Sequence, residues 1–230
     1  MLNFYTKSTV SLKALTPVLK EWTAVVDIYA IENPNDSCWS YSERAAVSIF
    51  AGAAWKVGWF AAEEFGTRKI CNRPDDFAGR NMRRHGRCDL YLDDRSESYV
   101  VEAKQAWQAI GPRVSKPTNE VTAKMGAACR DAASVPNIEA DRRLALTFVA
   151  PSFPVSLLAT CVDDSDRYMA STQIIALWLK KVKAINRIGA MAWSFPPISR
   201  CLTDPESKRV FPGTVALVQE CKQAICVGKQ

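Results

Sequence analysis

Arg87-Cys88-Asp89-Leu90-Tyr91-Leu92-Asp93, then Asp94-Arg95-Ser96-Glu97, then Ser98-Tyr99-Val100-Val101-Glu102-Ala103-Lys104 is the stretch that decides the fold. Two largely apolar runs flank a short polar break, the pattern of a β-hairpin with a four-residue loop. That loop pairs Asp93 with Ser98, and counting back along both strands sets Asp89 opposite Glu102. Side chains alternate faces along a strand. Val100, Glu102 and Lys104 therefore share one face of their strand, and across the hairpin Asp89, Tyr91 and Asp93 share that same face, opposite Cys88, Leu90 and Leu92. Directly opposed residues hold their Cβ atoms roughly 4.5–5.5 Å apart. A slip of one residue would send the acids to opposite faces, so the loop count carries the reading.

Two carboxylates and an ammonium on one patch are the parts of a metal-dependent phosphodiesterase site. Adjacent buried carboxylates repel unless one takes a proton or a cation intervenes. Mg²⁺ takes oxygen ligands and is commonly held by one or two carboxylates, waters and substrate phosphate. It activates a bound water and neutralises charge developing on phosphorus. Lys104 would hold that water or stabilise the developing charge.

Asp89 followed by Glu102-Ala103-Lys104 at the end of an apolar strand resembles the PD-(D/E)xK nuclease superfamily, the restriction-endonuclease-like fold. Cys88 stands where the family's proline would be. The resemblance covers roughly residues 40–150. It implies an α/β fold, a central mixed sheet flanked by helices, with metal ligands Asp89 and Glu102 and with Lys104 as a catalytic residue. Family members often carry another acid on the helix before the first core strand, and Glu43, in Ser42-Glu43-Arg44-Ala45-Ala46, matches that role. The implied cofactor is Mg²⁺ or Mn²⁺.

Bland alternatives exist for each feature. A cross-strand charge pair at an exposed sheet edge would use the same residue types as the proposed site. Glu43 in a first helical turn would also be favoured by the helix dipole alone. Glu206-Ser207-Lys208 repeats the triplet in a Pro- and Gly-flanked loop. Glu220-Cys221-Lys222 repeats it after the apolar run Val215-Ala216-Leu217-Val218, without an aspartate on a preceding hairpin strand.

The chain has 230 residues, 48% hydrophobic and 23% charged, as expected of a globular protein. The longest apolar stretch, Ala45 to Ala62, is broken by Ser48, Lys56 and glycines and falls short of a membrane span. Met1-Leu2-Asn3-Phe4 shows no basic segment leading into an apolar run, so no secretory signal is expected. Eight scattered cysteines in so long a chain suit reduced thiols and a cytoplasmic location. The single histidine, His85, lacks a nucleophile motif around it. Cys221 and Cys226 find no second pair for zinc, though Cys71, His85 and Cys88 would suffice if they met. There is no glycine-rich phosphate loop.

The net charge of +6 is concentrated. Arg68, Lys69, Arg73, Arg80, Arg83, Arg84, His85 and Arg87 crowd a segment expected as a basic loop before Asp89. With Lys124 and Arg130 on a following helix, Arg80, Arg83, Arg84 and Arg87 are the expected contacts to a nucleic-acid backbone, DNA first. Trp107 is placed to stack on a base or line the groove.

Spacing predicts helices over 8–30, 41–65, 118–133 and 168–184, with strands at 144–150, 188–193 and 214–218 and a first strand including Ile70 and Cys71. Residues 1–35 read as an N-terminal helical extension and 36–230 as a nuclease-like core with C-terminal additions, one compact domain in all. The apolar face of the 41–65 helix would also suit a homodimer. The expected function is metal-dependent hydrolysis of phosphodiester bonds. The alternative is a silent nuclease fold that binds nucleic acid or a dedicated protein partner, as in host-defence, anti-defence or toxin–immunity systems.

Overall fold

The structure, a computed structural model, describes residues 4–70, 83–136 and 138–222. In chain order its elements are β1 (Phe4–Ser8), α1 (Thr16–Glu32), α2 (Glu43–Lys56), β2 (Phe60–Ile70), β3 (Arg83–Asp93), β4 (Ser98–Ala109), α3 (Asn119–Ala133), β5 (Arg142–Pro154), α4 (Asp164–Lys183), β6 (Ala190–Ser194), the two-residue β7 (Thr203–Asp204) and β8 (Arg209–Val210), and β9 (Thr214–Glu220). The main sheet runs β1-β6-β9-β5-β4-β3-β2. β4 and β5 are parallel and the other neighbours antiparallel. This is an α/β fold with a mixed sheet flanked by helices.

The hairpin forms as its sequence requires. Asp94 Oδ1 accepts the N–H groups of Ser96 and Glu97, both at 2.8 Å, and Arg95 takes a left-handed φ of 75°. Asp93 pairs with Ser98 and Leu90 with Val101, the register that the loop length predicts.

The 41–65 expectation needs correction. Ser42 caps α2 by accepting from Ala45 N at 3.2 Å, but the helix stops at Lys56, where Gly58 follows with φ 83°. Phe60-Ala61-Ala62 then begins β2. The apolar run resumes past Lys56 and Gly58 into the strand, so hydrophobicity alone gave no stop signal. Residues 83–87, expected in a basic loop, belong to β3 and pair with β2, from Gly66↔Arg87 to Ile70↔Arg83. Residues 4–8 form an unforeseen edge strand on β6.

α1 and α2 cover one face of the sheet. Leu19, Trp22, Val47, Phe50, Leu90, Leu92, Tyr99 and Phe148 share that core, so the expected N-terminal extension packs with the rest. α3 and α4 cover the other, where Met125, Val149, Phe153, Ile175, Trp178 and Leu217 meet. β5 lies between β4 and β9 and is apolar on both faces, as a central strand must be. Val47, Phe50 and Ala54 are spent in this core, which takes up the face that would have suited a dimer. Trp55 and Phe60 stay half-exposed and meet edge to face at 5.3 Å. No helix among the described residues is long and apolar enough to cross a membrane.

Phe148 joins both helices to the sheet, its ring 6.1 Å from Trp22 and 5.9 Å from Phe50. Phe148→Ala is expected to lower unfolding free energy by about 3–5 kcal/mol, measured by urea denaturation.

Candidate active site

Strand β3 breaks its ladders at Asp89. Toward β2 the pairs Glu63↔Leu90 and Phe65↔Cys88 flank Glu64 and Asp89, which are left out, and Glu64 takes a left-handed φ of 52°. Toward β4 the ladder ends at Leu90↔Val101. Beyond that point β3 and β4 fork, and the N–H groups of Ala103 and Gln105 on that edge lose their strand partner. Two carboxylates replace it. Asp89 Oδ2 accepts from Ala103 N at 2.7 Å, and Glu43 Oε2 accepts from Gln105 N at 2.9 Å. Glu43 reaches the fork because it opens α2, directly after the Ser42 cap.

The break also changes which way side chains point. Cys88 packs with Val100, Tyr91 and Phe65, whereas Leu90 and Leu92 pack beneath α1 and α2. The regular alternation that grouped Cys88 with Leu90 therefore fails at Asp89. Asp89 instead lines a cavity of about 60 Å³ with Glu43, Arg44, Val47, Glu63 and Glu64, on the α2 side.

Lys104 connects the group. Its Nζ donates to Ala103 O at 2.8 Å and lies 3.9 Å from Glu43 Oε1, 3.9 Å from Asp89 Oδ2 and 3.2 Å from Asp131 Oδ2. Burial would push the Lys104 ammonium down. Asp89, Glu43 and Asp131 outweigh that and hold it above its ordinary value.

Glu102 stands apart. It is 2% exposed, and its Oε1 lies 2.6 Å from Lys69 Nζ in an ion pair whose geometry falls short of a hydrogen bond. Burial pushes its carboxyl up to about 7, against the pull of Lys69, while Asp89 adds a smaller upward push. Thus the structure brings Glu43, Asp89 and Lys104 together and turns the Glu102 carboxylate to Lys69.

Arg87 pairs with Glu64 at 3.5 Å, and Arg44 reaches the same carboxylate at 3.8 Å. Lys124 stands two turns before Asp131 on the same side of α3. Arg83 and Arg84 lie on β3 in the basic arm, and Arg80, Arg73 and Cys71 lie outside the described residues. Trp107 is half-exposed, but its indole N–H donates to Ser40 O at 3.1 Å, tying β4 to the turn before α2. Of the competing triplets, Glu220 forms a bidentate pair with Arg142, and Glu206-Ser207-Lys208 occupies the turn between β7 and β8.

Sequence reasoning missed Asp131 and Glu63 and placed Lys69 only in the basic run, not beside Glu102. Asp131 could have been found from its seven-residue spacing to Lys124 on a helix; nothing in the basic run marks Lys69 as the partner of Glu102.

The oxygen-only donors at the fork suit a hard cation such as Mg²⁺. Glu43 and Asp89 each give one oxygen to the backbone and keep another. Among the described residues no three carboxylate, thiol or imidazole side chains are already gathered around one point. The residues that would hold Mg²⁺ at the fork are Asp89 and Glu43, since the Glu102 carboxylate is paired with Lys69. No family model matches the chain, and no curated protein or solved structure gives a significant match.

Because the Glu102 carboxyl titrates higher in the folded chain than in the unfolded one, its contribution to stability is full in acid. That contribution falls as pH rises from the ordinary carboxylate range through about 7. Urea midpoints at about pH 5 and about pH 8 are expected to differ more for the wild type than for Glu102→Gln.

Proposed function

We propose that the fork between β3 and β4 is the active site of a metal-dependent nuclease that hydrolyses phosphodiester bonds, DNA being the foremost substrate. The observation that carries this reading is the convergence of Asp89, Glu43 and Lys104 where the ladder opens. The order α2-β2-β3-β4-α3-β5 supports it, because helix, strands, helix, strand is the core that the resemblance implies.

In this reading Asp89 and Glu43 hold Mg²⁺ or Mn²⁺, and Glu102 completes the set. The metal supplies an activated water and charge neutralisation at phosphorus. Lys104, kept protonated by its three acidic neighbours, orients the water and stabilises negative charge in the transition state. Asp131 positions the Lys104 ammonium. The arm formed by β2 and the start of β3, with Arg83, Arg84 and Arg87, carries the phosphate backbone toward the fork, and Lys124 extends that surface. Arg80 belongs to the same basic run. Reduced cysteines suit the cytoplasm as the compartment.

One observation favours a second reading. The ion pair of Glu102 with Lys69 neutralises a ligand that catalysis would need, as expected of a nuclease fold that binds nucleic acid or a protein partner without cutting.

Plasmid and linear DNA incubated with Mg²⁺, with Mn²⁺ and with EDTA separate the two. Metal-dependent cutting is expected, reduced at least about a hundredfold in Asp89→Ala and Lys104→Ala variants that keep the wild-type circular dichroism spectrum. DNA binding without cutting by the wild type would replace the first reading with the second.

A further inference from the structure

On the far side of α3 from the fork, two cysteines face each other. Cys129, on α3, and Cys221, just past β9, hold their sulfurs 2.7 Å apart. Less than about 1 Å of approach separates that distance from a disulfide bond. Neither end is free to wander. Cys221 N donates to Arg143 O at 2.9 Å, and both side chains pack among Ala128, Ala132 and Ala145.

Access is one-sided. Cys221 is 4% exposed, whereas Cys129 is half-buried and lines a cavity of about 430 Å³. Arg130 and Arg187, both exposed, line the same cavity with Thr122 and Asn186. Two arginines lining the same cavity as the Cys129 thiol suit a carboxylate-bearing reactant. Cys38 and Cys88, by contrast, are closed into the core.

We propose that Cys129 and Cys221 are a reversible disulfide site, oxidised by a small carboxylate-bearing disulfide that enters through this cavity. Cys129, the accessible thiol, loses its proton to solvent and attacks one sulfur of the small disulfide. A mixed disulfide forms and one small thiolate leaves. Cys221 then gives up its proton and attacks the Cys129 sulfur, forming the Cys129–Cys221 bond and expelling the second small thiolate. Two protein thiols are oxidised, one small disulfide is reduced to two thiols, and the protons are balanced by those two thiolates. Burial, reinforced by the hydrogen bond with Cys129, pushes the Cys221 thiol up, in keeping with its place as the second nucleophile. The bond fastens α3, which carries Asp131, to the end of β9 and closes a separation of 92 residues.

The full-length protein, folded and reduced, is incubated with oxidised glutathione, alkylated, digested without reductant and analysed by mass spectrometry. A Cys129–Cys221 linked peptide is expected, lost on treatment with dithiothreitol. The oxidised protein is expected to unfold at higher urea than the reduced one. Cys221→Ser should stop at a glutathione adduct on Cys129, and Cys129→Ser should leave Cys221 reduced. Arg130→Ala combined with Arg187→Ala should slow the first step at low salt. Full alkylation of both thiols in the folded wild type, or linkage of either one to any other cysteine, would overturn the proposal.

Discussion

Two backbone N–H groups of β4, those of Ala103 and Gln105, have no neighbouring strand to receive them, and the geometry of the site follows from what does. A buried N–H without an acceptor is costly, so an open ladder needs replacement oxygens. Asp89 and Glu43 provide them, one from the end of the broken ladder and one from the first turn of α2. The same two bonds fix both carboxylates relative to the sheet, hold Asp89 Oδ2 and Glu43 Oε1 each 3.9 Å from Lys104 Nζ, and tie α2 to β4. Structural support and candidate chemistry are therefore carried by the same atoms.

Glu102 shows the opposite arrangement. It lies one residue from the fork and is almost wholly buried, with its charge matched by Lys69 from the neighbouring arm. A lysine is a flexible partner on a long stem, unlike an arginine fork. Exchange of that ammonium for a divalent ion would leave the total charge compensation of the site at least as large. Under the proposed function, the Lys69–Glu102 pair would decide between cutting and silence.

The hairpin register was legible because a four-residue loop between two apolar strands permits little else, and Asp93↔Ser98 follows from counting. The site residues Asp89, Lys104 and Glu43 were legible as types at a spacing. Their geometry was not. The break at Asp89 depends on a non-glycine residue, Glu64, adopting left-handed backbone, which has no sequence signature. It turns Asp89 toward α2 and so separates its surroundings from those of Glu102. The end of α2 was hidden because Phe60-Ala61-Ala62 continues the apolar run into a strand. The thiol pair was hidden as well, since its members lie 92 residues apart and meet only through packing of α3 on β9.

The most direct test of the fork as a metal centre is a crystal structure of the protein grown with Mn²⁺, with the ion located by anomalous scattering. The expected result is a single strong peak bound by Asp89 and Glu43, with Glu102 drawn away from Lys69 toward it. A peak elsewhere, or none at the fork at millimolar Mn²⁺ with Glu102 still on Lys69, would contradict the account.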